Sequence, residues 1–295
     1  MSLGVALSGG GAKGAAHIGV LKALEDENIK IDYISGTSSG SIVAALYACG
    51  YNPKELITFF NMYCNGIGDY DKMIGLKALS TAFTGKIGVK GLAKGDKLEY
   101  IINNFCAKKY IKDISEVKFP LAIPTVDINT GEIVYFLSKG VNTTNSLSRD
   151  LFDDIPTYKY NGKLCSIVRA SSSFPGVFEP KILEGRILVD GGVRVNTPVT
   201  VLRNMGADKV ISVSFDKNKK YTDNSLNIIS ISLKAFDIMS HQVNEEELHK
   251  SDLIIRPKIP ANISLLDCSK TNFLARAGYN RTKELINDIK NIIKN

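Results

Sequence analysis

Two short stretches of this chain hold the residue types that nucleophilic chemistry needs. They are Gly36-Thr37-Ser38-Ser39-Gly40 and Asp190-Gly191-Gly192. A serine at the tip of a sharp strand-to-helix turn exposes its hydroxyl, and glycines on either side permit the crowded backbone. The helix that begins after Ser38 aims free N–H groups at charge developing beside that hydroxyl. G-x-S-x-G on its own also describes an ordinary serine-capped turn. Its context favours the reactive reading, because the Ile31–Ser35 run precedes it and the apolar Ser41–Cys49 stretch follows it. Asp190 closes the apolar run Ile187–Val189, where two glycines let it approach another backbone closely. In isolation the same residues read as a plain Asp-Gly turn.

A third stretch, Gly9-Gly10-Gly11-Ala12-Lys13-Gly14, lies between an apolar run and a helical pattern. Formally it matches the dinucleotide fingerprint, which wants an acid at the far end of the second strand. The available acid, Asp32, sits at that strand's start, and Ser35-Gly36 occupy its end. Bare amides at a helix N-terminus also form an oxyanion hole, since glycines let consecutive N–H groups converge on one oxygen. The residues of this loop that such a hole would draw on are Gly9, Gly10, Gly11, Lys13 and Gly14. Lys13 is expected to orient the loop or meet a lipid phosphate, with a solvated lysine as the alternative.

A serine nucleophile needs a base, commonly histidine. The chain holds His17, His241 and His249. His17 precedes Leu21 by one helical turn and reads as a packed core histidine, and neither of the others has a serine or aspartate motif around it. A Ser–Asp dyad dispenses with histidine, provided that the carboxylate reaches the Ser38 hydroxyl in a site dry enough to raise its proton affinity.

The elements that must position these residues follow a strand–loop–helix rhythm. Val5–Ser8, Ile31–Ser35, Phe119–Val126, Arg186–Val189, Lys209–Phe215 and Leu253–Arg256 read as strands. Ala15–Glu27, Ser41–Cys49, Leu98–Phe105, Cys165–Ser173, about 226–249 and about 271–293 read as helices. Asn129-Thr130-Gly131 turns into Ile133–Leu137 as a hairpin, and Thr197-Pro198 fits an N-cap and first helical proline. The expected fold is α/β: a three-layer α/β/α sandwich with a mostly parallel central sheet. No repeat or linker divides the chain, so residues 1–295 are read as one domain, with the informative motifs within 3–216. The glycine-punctuated stretch 61–97 is expected to be a cap over the site or an irregular excursion. The apolar part of the 226–249 helix is expected in the core, with docking on lipid as the alternative.

Composition narrows the setting. The 295 residues are 44% hydrophobic and 23% charged, with a formal charge of +7, an ordinary globular profile with a mild basic excess. That excess is compatible with an anionic membrane surface or with nucleic acid and identifies neither; a lipid or membrane-surface substrate and no nucleic-acid partner are expected. The five cysteines, Cys49, Cys64, Cys106, Cys165 and Cys268, are odd in number and form no C-x-x-C, as expected of reduced buried thiols rather than a disulfide frame or zinc site. The N-terminus lacks a signal-peptide pattern and no stretch suits a membrane span, so a cytoplasmic protein with at most peripheral membrane contact is expected.

Taken in this order, the three motifs resemble the patatin-like phospholipase family. The likeness extends to Gly14-Ala15-Ala16-His17-Ile18-Gly19-Val20-Leu21, to Ala170-Ser171 through Phe174-Pro175 to Phe178 and Pro180, and to Asn196 and Pro198. The resemblance implies that Gly9–Gly14 supply the oxyanion hole, Ser38 the nucleophile and Asp190 the base. The activity implied is lipid acyl ester hydrolysis of the phospholipase A or lysophospholipase type, through an acyl-enzyme and without metal or organic cofactor. A carboxylesterase or thioesterase acting on small soluble substrates, and a non-catalytic lipid-binding protein, stay open beside it.

Overall fold

The structure is a computed structural model, and it describes residues 1–62, 93–140, 155–215, 238–239, 242–260, 263 and 268–294. Its frame is one sheet. The strands are β1 (Leu3–Leu7), β2 (Tyr33–Gly36), β3 (Leu121–Asp127), β4 (Ile133–Leu137), β5 (Thr157–Lys159), β6 (Lys181–Leu183), β7 (Arg186–Asp190), β8 (Lys209–Val213) and β9 (Leu253–Ile255). The order is β5-β4-β3-β2-β1-β8-β9, with β7 also on β3 and β6 on β7. β1 is parallel to β2 and β8, β2 to β3, β8 to β9 and β4 to β5, whereas β4 and β7 run antiparallel to β3. The mostly parallel sheet is therefore as expected.

Alternation along the strands sorts the core into two layers. Leu3, Val5, Leu7, Ile34, Leu121, Ile123, Ile211 and Val213 enter the larger layer. There they meet helices α1 (Ala15–Asp26), α2 (Ser39–Ala48), α3 (53–62), α4 (Asp96–Lys108), α5 (Leu164–Ser171), α8 (Thr271–Glu284) and α9 (Ile286–Lys294). Ala6, Ala122, Tyr135 and Val210 point the other way, onto Val201 and Leu202 of α6 (Thr200–Asn204). The small residues on that face are needed, because a Cβ on Gly4 would lie 3.1 Å from both Ala207 and Leu202. α1 and α8 cross backbone to backbone at two glycines: a Cβ on Gly19 would strike the Ala275 carbonyl, and one on Gly278 the Ala16 carbonyl.

Several expectations need correction. The helix expected from about 271 to 293 breaks at Leu285 into α8 and α9. Thr197 does not cap α6. Glu247, on the helical stretch 242–249 (α7), does so instead: its carboxylate accepts from the Val199 amide at 2.9 Å and the Thr200 amide at 2.8 Å. The short strands β5 and β6 and the helix α3 were not expected from the sequence. Cys49, Cys106 and Cys165 are free and buried, as expected, whereas the Cys64 and Cys268 side chains lie outside the described residues. The proposed cap lies largely outside them too (63–92), as does most of the 226–241 helix. Among the described residues, no helix is long and apolar enough to cross a membrane.

Candidate active site

β3 organises the site because two strands share one of its edges. Its first residues, Leu121 and Ala122, pair with Ile34 and Ser35 of β2, and its last, Thr125 to Asp127, pair with Asp190 to Leu188 of β7. The strands approach from opposite directions, so the C-terminal ends of β2 and β7 face each other across Ile123 and Pro124. Pro124 suits the gap, since it has no N–H to leave unpaired there. Its carbonyl accepts from the Ser171 hydroxyl at 2.7 Å. Gly191 follows Asp190 because a Cβ there would lie 2.6 Å from the same carbonyl.

Ser38 sits between β2 and α2. Its φ of 53° and ψ of −122° are unusual for a residue with a side chain. Such a conformation costs about 1–3 kcal/mol and persists only where the surroundings impose it. Those surroundings are dense. Thr37 N donates to Leu7 O at 3.1 Å, the Thr37 hydroxyl to Val195 O at 2.9 Å, and Ser35 Oγ to Pro198 O at 2.7 Å. The Ser38 amide donates to Ser171 Oγ at 3.3 Å, and its carbonyl accepts from Ser41 Oγ at 2.6 Å. Gly36 and Gly40 flank the turn because a Cβ on Gly36 would strike the Gly40 backbone, and one on Gly40 the Leu7 carbonyl. Ser38 itself stays half-buried between buried Thr37 and Ser39, in front of the first turn of α2.

Asp190 is 1% exposed. Burial pushes its carboxyl up to about 7, against the partial opposition of the Gly192 amide and the Ser38 hydroxyl. Oδ1 accepts from Gly192 N at 2.8 Å, while Oδ2 is buried without a hydrogen-bond partner. The Ser38 hydroxyl thus influences the carboxylate without closing a full hydrogen bond to Oδ2, which leaves that oxygen open to take a proton.

The glycine loop lies against the same point. A Cβ on Gly9 would come within 2.6 Å of Asn196 Oδ1 and 3.1 Å of Ser38 Cβ, and one on Gly14 within 2.7 Å of Ser39 Cβ. Gly11–Gly14 form a 3₁₀ turn leading into α1, with Gly11 at φ 58°. The Gly9 amide donates to Asn196 O at 3.1 Å and Lys13 N to Gly10 O at 3.2 Å. Neither of those amides is therefore free for an incoming oxygen. Those of Gly10 and Gly11 have no acceptor among the described residues. Lys13 is not solvated: it is 5% exposed and its Nζ lies 6.0 Å from the centre of the Phe215 ring.

His17 is fully buried, with Nε2 2.8 Å from Ser8 O and its ring 5.0 Å from that of Phe215. Burial lowers its pKa to about 4, so it is a neutral spacer under the glycine loop. Asp32 is equally structural, accepting from Leu3 N at 2.9 Å and pairing with Lys30. Sequence reasoning passed over Ser171 and Glu247. The first stood inside a recognised segment, and the second carried no signal short of the three-dimensional contact.

Comparison with known proteins identifies the family of the chain. The family model described as patatin-like phospholipase matches residues 5–203. The chain is 30% identical over 213 residues to the lysophospholipase NTE1 of Mycosarcoma maydis, covering 72% of this chain and 10% of that protein. It is 31% identical over 215 residues to the patatin-like phospholipase domain-containing protein ZK370.4 of Caenorhabditis elegans, covering 72% and 13%. It is thus a small fraction of the length of these relatives. In fold it resembles VipD of Legionella pneumophila (TM-score 0.50, 16% identity, 97% of this chain and 67% of that one). It also resembles ExoU in the ExoU–SpcU complex of Pseudomonas aeruginosa (0.51, 19%, 98% and 51%). With a family match over two-thirds of its length and the three motifs gathered at one point, the chain belongs to the patatin-like phospholipase family.

Proposed function

We propose that this chain is a serine lipid acyl hydrolase of the phospholipase A or lysophospholipase type, with Ser38 as nucleophile and Asp190 as general base. The observation that carries the reading is the meeting of a strained, half-buried serine with a buried carboxylate whose pKa lies at about 7. A carboxylate tuned to that range is half-ionised near neutrality and basic enough to accept a hydroxyl proton.

Asp190 Oδ2 takes the proton as Ser38 Oγ attacks the acyl carbonyl. The amides of Gly10 and Gly11, with that of Ser39 at the head of α2, stabilise the oxyanion. Collapse of the tetrahedral species passes the proton from Asp190 to the departing alcohol and leaves an acyl ester on Ser38. Asp190 then deprotonates a water molecule that attacks the ester, releasing the fatty acid and restoring Ser38. Gly9, Lys13 and Gly14 shape the loop. Residues 1–295 act as one catalytic unit, and its substrate is met at a lipid surface.

An alkyl fluorophosphonate tests the assignment directly. Intact-mass and peptide mapping are expected to find one adduct on Ser38, at a rate that falls steeply in Asp190→Asn. An adduct on another residue, with Ser38 unmodified, would overturn the reading.

A further inference from the structure

Asn196 lies between the glycine loop and the turn that follows Asp190. A Cβ on Gly9 would come within 2.6 Å of Asn196 Oδ1 and 3.1 Å of Ser38 Cβ. One on Gly192 would come within 3.2 Å of the same oxygen and 3.1 Å of Asp190 Oδ1. The carboxamide oxygen thus stands beside both the serine and the carboxylate. The backbone fixes it there. Asn196 O accepts from Gly9 N at 3.1 Å, and on either side Val195 O accepts from the Thr37 hydroxyl at 2.9 Å and Pro198 O from the Ser35 hydroxyl at 2.7 Å. The Asn196 side chain, by contrast, is half-buried and makes no hydrogen bond among the described residues. A polar group held at a reacting centre and left unpaired is placed for a partner that arrives with the reaction.

We infer that Asn196 is a catalytic residue of deacylation, with Oδ1 accepting a hydrogen bond from the attacking water. The inference rests on the hydrolase reading and adds a residue to its second half. Proton counting separates the two halves. Ser38 brings one hydroxyl proton to acylation and the departing alcohol leaves with one, so Asp190 alone handles each transfer. Water brings two. As its oxygen bonds to the acyl carbon, one proton passes to Asp190, while the other stays on that oxygen and needs an acceptor. Asn196 Oδ1 supplies it, and a neutral amide oxygen does not compete with Asp190 for the transferred proton. Collapse then breaks the bond between Ser38 Oγ and the acyl carbon. Asp190 returns its proton to Ser38, and the retained proton leaves on the fatty acid. An alcohol carries a single proton on its oxygen, so alcoholysis of the acyl-enzyme does not call on Asn196.

The experiment is steady-state hydrolysis of a p-nitrophenyl ester by the full chain, comparing wild type with Asn196→Leu, which keeps the shape and lacks the oxygen. The kcat/KM for nitrophenolate release reports acylation and is expected to stay within about threefold of wild type. The kcat and KM are expected to fall together by about tenfold or more. Acylated Ser38 is expected to accumulate in intact-mass spectra of the variant. Added methanol is expected to restore its kcat, with the methyl ester as product. Asn196→Ala removes the same oxygen without adding bulk and is expected to show the same split. A merely structural defect would lower kcat/KM and resist methanol. Equal losses of kcat/KM and kcat in both variants, wild-type kcat in both, or no recovery with methanol would each overturn the inference and leave the hydrolase reading standing. Absence of an acyl adduct on Ser38 in wild type and variants alike would overturn that reading as well.

Discussion

Ser35 and Asp190 occupy the same edge of β3, Ser35 opposite Ala122 and Asp190 opposite Thr125. At about 3.3 Å per residue, the two positions lie about 10 Å apart along the strand. Gly36, Thr37 and Ser38 span that interval. Sheet register, rather than any local motif, therefore sets how near the hydroxyl comes to the carboxylate.

The pH dependence follows from Asp190. Its carboxyl must be ionised to accept the Ser38 proton, and burial holds it at about 7. The kcat/KM of ester hydrolysis is expected to rise with a slope of one in log units below that pH and to level off above it. A profile flat from pH 5 to 9 would remove Asp190 as the base.

The same burial makes a stability prediction of opposite sense. Asp190 binds its proton more tightly folded than unfolded, so folding loses stability as pH rises from about 4 through about 7. Asp190→Asn keeps an acceptor for the Gly192 amide and carries no charge. Its unfolding free energy from urea denaturation is expected to match that of wild type near pH 4, and at pH 8 to exceed it by on the order of 1–3 kcal/mol.

Strain at Ser38 predicts a difference between two inactive variants. Glycine tolerates φ 53° and ψ −122° where alanine does not. Ser38→Gly is expected to be more stable than Ser38→Ala by about 1 kcal/mol or more in chemical denaturation.

His17 supplies a control against a hidden triad. It holds Ser8 O and packs on Phe215 with a pKa lowered to about 4. His17→Gln is expected to lower thermal stability while keeping the inflection near pH 7 in the activity profile. Loss of that inflection would transfer the base role to His17.

How much of this was legible in the sequence depended on the range of the interaction. The β1–loop–α1 and β2–loop–α2 units were legible because apolar runs and glycines mark them locally. Asp190 could be singled out by its D-G-G but not placed, since its partner strand, β3, lies some 65 residues earlier. Glu247 looked like one more surface charge on a helix, yet it caps α6 and so braces the segment that holds Asn196 and Pro198. β5 and β6 have only three residues each, too few for alternation to register. The Gly9 amide was counted among the oxyanion donors because no local signal shows that Asn196 O claims it.

Fatty-acid release from mixed phospholipid vesicles and from a short-chain chromogenic ester tests the central claim most directly. Wild type, Ser38→Ala and Asp190→Asn are compared at equal folded concentration. The account predicts release by wild type, a loss of about 10⁴-fold or more in each variant, and a preference for the vesicle substrate. Release that survives in Ser38→Ala would contradict it.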